Sequence, residues 1–80
     1  MRVNTINANH VAVSYKGQTT LFSYDTPVCT RSSTGLVILH PAWDYSRTTS
    51  KYRSQFLGES TVATRKKLMN NYYSMEEFYA

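Results

Sequence analysis

The chain has 80 residues, a net charge of +4, seven Tyr, three Phe, one Trp and a single cysteine, Cys29. That length leaves room for one small core and no second domain, and a lone cysteine excludes an intramolecular disulfide and a Cys-rich metal site. No apolar stretch approaches the roughly 20 residues of a membrane helix, and residues 1–5 lack a signal peptide's apolar run, so the expected location is the reduced cytoplasm.

Residues 1–9 are polar and unpatterned, and are expected as a loose lead-in or short edge segment. From His10 the pattern alternates, with Val11, Val13 and Tyr15 on one side and Ala12 and Ser14 on the other, the period of a half-buried strand. Lys16-Gly17-Gln18 supplies a short reversal, since Gly accepts the positive φ of a tight hairpin. A second strand follows over about Thr19 to Tyr24. Pro27 then interrupts the ladder, so the chain is expected to turn at Asp25-Thr26-Pro27 or to bend through a bulge and continue as Val28 to Arg31.

Ser32-Ser33-Thr34-Gly35 is the clearest turn signal. The continuous apolar run Leu36 to Leu39 after it reads as a strand covered on both faces, and is expected to be the central strand. Pro41 ends it. Ser46 is placed to cap a helix, with Thr49, Tyr52 and Phe56 as an inner stripe beside Leu57 and Gly58 as a left-handed stop. Ser60 is placed to cap a second helix to about Asn70, with Val62, Arg65 or Lys66, Leu68 and Met69 inward. Ser74 is expected to cap a final turn, Met75 to Tyr79.

The expected fold is therefore α+β. A three- or four-stranded antiparallel meander (10–40) precedes two helices packed on one face (46–70), and a C-terminal turn (71–80) completes a single domain.

Tyr24, Thr26 and Pro27, followed by Tyr45, Ser46, Thr48, Thr49, Lys51, Phe56 and Leu57, resemble a family of small uncharacterised bacteriophage-encoded domains. Its members share a Tyr-x-Thr-Pro turn and a Tyr-Ser-x-Thr-Thr-x-Lys segment entering a helix. The resemblance runs over about residues 23–68 and implies a phage origin and expression in a bacterial host's cytoplasm. It implies no catalytic or binding residue.

The candidate chemistry is thin. Cys29, His40 and Asp44 have the types of a nucleophile, base and orienting group but an uninformative spacing, and His40 with Asp44 is too small a set for a metal. His10 has no evident partner in the sequence, so neither a catalytic centre nor a cofactor is expected. The hydroxyls of Ser46, Thr48 and Thr49 read as a helix cap, or as an anion site helped by Arg47.

A binding role is expected instead. Trp43 and Tyr45 at the strand–helix junction are the candidate anchors for a host or phage protein, with Arg47, Lys51 and Arg53 steering it. A homodimer is a further way for so small a domain to finish its burial. The alternative is a nucleic-acid-binding module: six of the nine basic residues, Arg47, Lys51, Arg53, Arg65, Lys66 and Lys67, fall within residues 47–67. The turn Leu57-Gly58-Glu59-Ser60 resembles that of a helix-turn-helix, which would point Ser60, Thr61, Thr64, Arg65 and Lys67 at DNA.

Overall fold

A computed structural model describes residues 2–7 and 9–77. In chain order these form β1 (Arg2–Asn7), β2 (His10–Tyr15), β3 (Gln18–Ser23), β4 (Thr26–Ser32), β5 (Val37–Leu39), α1 (Arg47–Leu57), α2 (Thr61–Met69) and β6 (Ser74–Met75). One sheet runs β1-β2-β3-β4-β5-β6, antiparallel except between β5 and β6. The α+β class is as the sequence suggests, with six strands in place of three or four. The two added strands lie at the edges: residues 2–7 pair with β2, and Ser74 and Met75 run beside Ile38 and Leu39.

Two-residue turns of the same kind close the central hairpins. Lys16 and Gly17 have φ of 51° and 78°, and Tyr24 and Asp25 have φ of 50° and 65°. Positive φ at both central residues matches the turn to the twist of the strands. The second reversal therefore lies ahead of Pro27, which belongs to β4. Leu21 faces Cys29 while Phe22 faces Pro27, so Val28 is the extra residue of a bulge. That is where a strand can hold a proline, which has no N–H for the ladder.

The register sets two faces. Ala12, Leu21, Cys29 and Leu39 line up across the strands on one face, where α1 lies over β3 and β4. With Val28, Val37 and Trp43 they form the core, against which Phe56, Leu57, Leu68 and Tyr73 pack. The opposite face carries Val11, Val13, Phe22 and Ile38, all half-buried. A polar ladder crosses it: Thr20 and Thr30 hydroxyls are 2.8 Å apart, and Thr30 Oγ1 lies 2.7 Å from His40 Nε2. His40 Nδ1 donates to the Glu76 carbonyl at 2.7 Å.

The Leu36–Leu39 run is not the central strand. Leu36 is exposed, Ile38 is half-buried, and β5 sits next to the sheet's edge. The centre is β3 and β4, whose threonines and Cys29 made them look less apolar than they are. In α1, Ser46 Oγ accepts the Thr49 N–H and Gly58 stops the helix at φ 72° with its N–H on the Ser54 carbonyl. Arg31 Nη1 also donates to the Phe56 carbonyl at 2.6 Å, a cation at the negative end of the helix.

The inner face of α2 differs from the expected one: Val62 and Met69 are exposed and Thr64 is fully buried. Burial is tolerated because the Thr64 hydroxyl donates to Glu59 Oε2 and to the Ser60 carbonyl. After α2, Asn71 at φ 64° turns the chain toward β5. Ser74 there enters β6 and does not cap a helix, and Glu76 N–H donates to the Leu39 carbonyl. Tyr79 lies outside the described residues.

Candidate functional site

The β3–β4 turn and the start of α1 enclose a cleft of about 400 Å³. Tyr24 stands on one wall and Tyr45 on the other, and Val28 and Ala42 supply apolar lining. Both tyrosines are open to solvent, Tyr24 at 62% and Tyr45 at 82%. Ser23, Ser46 and Thr49 bring hydroxyls to the same lining.

These hydroxyls are part of one hydrogen-bonded chain that runs from exposed Ser46 to the buried Thr49, Ser23 and His10. Ser46 Oγ accepts the Thr49 N–H and donates to Thr49 Oγ1, each at 3.1 Å. Thr49 Oγ1 lies 3.3 Å from Ser23 Oγ, which lies 3.0 Å from His10 Nε2. Because Ser46 donates to Thr49, the order that satisfies every member has Thr49 donating to Ser23 and Ser23 donating to the imidazole. His10 is buried, and burial lowers its pKa, which favours the neutral ring that can accept this bond. Its ring stacks on Tyr52 at 4.0 Å and meets Tyr24 edge-on at 5.6 Å. One chain of hydrogen bonds, closed by the His10–Tyr24 ring contact, thus ties the β3 end, the α1 cap and the Tyr24 wall together.

The sequence-based anchors are divided by this arrangement. Tyr45 stands at the cleft, but Trp43 is a core residue with 8% of its surface exposed. Its ring lies against the guanidinium groups of Arg53 at 5.1 Å and Arg65 at 5.8 Å. Arg53 has no exposed surface at all, so it steers nothing. The sequence groups it with Arg47 and Lys51 as a steering charge, whereas in the fold it lies against Trp43, where its stem and guanidinium plane pack as apolar surface.

Arg47 and Lys51 are exposed on α1, with Lys51 Nζ 5.7 Å from the Tyr52 ring. Of the other three basic residues, Arg65 pairs with Asp44 at 2.6 Å and Lys67 with Glu59 at 2.8 Å, while Lys66 is exposed. Among the described residues, Arg47, Lys51 and Lys66 are therefore the exposed cations of the 47–67 segment without an ion pair. α1 and α2 follow one another across the Gly58–Ser60 turn, but the residues that a helix-turn-helix would point at DNA are engaged within the chain. Thr64 is buried, Thr61 Oγ1 accepts from Arg53 at 2.6 Å, and Arg65 and Lys67 are held by carboxylates.

Cys29, His40 and Asp44 do not come together. Cys29 lies in the core and burial pushes its thiol up to about 12, with Arg53 and Arg31 opposing. His40 is engaged by Thr30 and Glu76 on the other face, and Asp44 accepts from Ser50 and Arg65.

The residues missed in the sequence are Tyr24, Ser23 and His10. Tyr24 read as the last residue of a strand, and the one available signal was Asp25, a residue at home in a left-handed turn. Nothing local in the sequence pairs His10 with Ser23, which are joined by the β2–β3 register.

No helix among the described residues is long and apolar enough to cross a membrane. No curated protein and no solved structure matches the chain. Residues 1–75 match the sequence model of a family of unknown function, DUF8033, and the chain belongs to that family.

Proposed function

We propose that this is a non-enzymatic binding protein that takes an apolar or aromatic side chain of a partner protein into the cleft between Tyr24 and Tyr45. The observation that carries this reading is the exposure of two tyrosines across an apolar-lined cleft whose backbone is braced from beneath. Tyrosine suits such a contact because it offers large, rigid area with a polar tip. Tyr24 adds a second support. A bulky side chain at φ 50° costs about 1–2 kcal/mol, and asparagine would fill this turn position at less cost. Strain held at a cleft wall is characteristic of functional surfaces.

Arg47 and Lys51, exposed on α1, give the rim a positive field that speeds encounter with an acidic partner. The bacteriophage setting, a host or phage protein as the partner, and the host cytoplasm as the location rest on the segment resemblance alone. The Ser23–His10 contact has the length of a nucleophile–base pair, but Ser23 is 4% exposed and its hydroxyl already serves Thr49 and the imidazole. That arrangement favours a brace over a reaction centre.

The test is capture from nuclease-treated host lysate with wild type, Tyr24→Asn and Tyr45→Ala, followed by kinetics with the captured partner. Both variants should stay folded and release the partner at least tenfold faster, while Arg47→Gln with Lys51→Gln should mainly slow association. Capture indifferent to both tyrosines would overturn the reading. So would tight, strongly salt-dependent binding of bare DNA or RNA that Arg47, Lys51 and Lys66→Gln changes abolish, which is the nucleic-acid alternative.

A further inference from the structure

We propose that two copies of this chain pair antiparallel along β1, Asn4 of one against Asn4 of the other, joining their sheets into one. The surface lies at the opposite edge of the sheet from β6, and the proposal stands independently of the cleft's occupant.

Among the described residues, no strand neighbours the outer side of β1. Residues Arg2 to Ile6 are all exposed, including Val3 at 56% and Ile6 at 42%. Edges left open in this way are usually blunted by lysine, proline or a bulge. The strand Arg-Val-Asn-Thr-Ile-Asn holds no lysine or proline, and its irregularity lies between Thr5 and Asn7, at the far end. The segment before the bulge is therefore a usable template.

A second copy fits it better than an unrelated strand for three reasons. An antiparallel edge is self-complementary: a two-fold axis normal to the sheet presents the same donors and acceptors from both sides. Such an axis sets residues of the same face opposite one another, so the pair centres on a residue, and centring it on Asn4 keeps Val3 and Thr5 within the regular segment Arg2 to Thr5. Val3 of each copy then faces Thr5 of the other on the face that carries Val11 and Val13. Charge agrees with this register. Arg2 is the strand's one charged residue, and the two arginines fall about 13 Å apart along the strands, beyond the screening length of about 8 Å.

The pair also closes. The opposite edge is β6, with two residues, so β1-to-β6 stacking into filaments would align too little backbone to compete. A contact confined to one strand buries less than the roughly 1,200 Å² of a standard interface, so the expected dimer dissociates in the micromolar range.

Sedimentation equilibrium should show a monomer–dimer equilibrium for wild type, and a monomer for the double change Val3→Lys with Thr5→Lys. In a second experiment, Asn4→Cys should give a disulfide-linked dimer under mild oxidation. Directly opposed residues have Cα atoms about 4.5–5.5 Å apart, inside the span that a disulfide bridges. Tyr72→Cys, on an exposed residue distant in the chain, should not cross-link. Cys29 is buried and does not interfere. A wild type monomeric up to about 1 mM overturns the proposal, as does a dimer that tolerates both lysines. If the lysine variant fails to fold, Asn4→Cys still decides: a dimer in which it does not cross-link is a different dimer.

Discussion

A guanidinium without exposed surface gives up its hydration and must replace it with protein acceptors for its N–H groups. Arg53 recovers part of it. Nη2 donates to Thr61 Oγ1 and to the Ser50 carbonyl, whereas Nε and Nη1 meet no acceptor among the described residues. Burial lowers its pKa, and the nearby carboxylates of Asp44 and Glu59 oppose that. Its remaining gain is packing on Trp43. Arg53→Met keeps the unbranched stem and removes the unpartnered donors, so it should leave stability within about 1 kcal/mol of wild type or raise it. Arg53→Ala should cost about 2–4 kcal/mol through the cavity. Urea titration of the two variants checks the ordering, and an equal loss for both would show that the charge itself is needed. Ser46→Ala is the opposite case. It removes an acceptor from Thr49 N–H and a donor from Thr49 Oγ1 together, and should lower stability by about 0.5–2 kcal/mol.

Among the elements, β5 separates pattern from position. Leu39 is fully buried in the core and Ile38 is half-buried on the opposite face. Leu39→Ala should therefore cost about 2–5 kcal/mol and Ile38→Ala clearly less, measured as the shift in denaturation midpoint. Equal costs would mean that both faces of β5 are covered. The same strand shows what the sequence can disclose. Period-two alternation and turn chemistry located β2, β3 and the 32–35 turn, and the Ser46, Gly58 and Ser60 signals located both helices, because each is decided by neighbours a few residues away. β6 escaped, and residues 1–9 read only as a loose lead-in or a short edge segment, because edge strands owe their formation to a partner, β2 or β5, more than to their own pattern. The inner positions of Arg53 and Thr64 escaped because a polar residue is buried only when distant groups satisfy it. Tyr45 at the cleft was legible as an aromatic beside a helix cap. Tyr24 and the Ser23–His10 contact depend on strand register, which the sequence left open.

For the whole molecule, titration links these local networks to stability. His10 is buried and its pKa is lowered by desolvation, so the folded protein resists its protonation. The unfolded chain binds that proton near pH 6.5. Stability from this group is thus complete above about pH 6.5 and is lost as pH falls through the folded-state value. Glu59 acts in a lower window. Burial works to raise its pKa, but hydrogen bonds from Lys67, Thr64 and Tyr73 and the charge of Lys67 outweigh it and hold the carboxyl below 4.5. Its contribution is present above that value and is lost as pH falls further. The two groups brace different joints: His10 ties β2 to the α1 cap, and Glu59 ties the α1–α2 turn to Tyr73 ahead of β6. Denaturation midpoints measured from pH 8 to pH 5 should fall for wild type. His10→Gln, which keeps an acceptor for Ser23, should lie lower at pH 8 and stay nearly flat over the same range. Glu59→Gln should keep the wild-type slope there and lose the further drop below pH 4.5. A His10→Gln protein with the wild-type slope would assign the acid sensitivity to another group and remove the buried imidazole from the account of the cleft's brace.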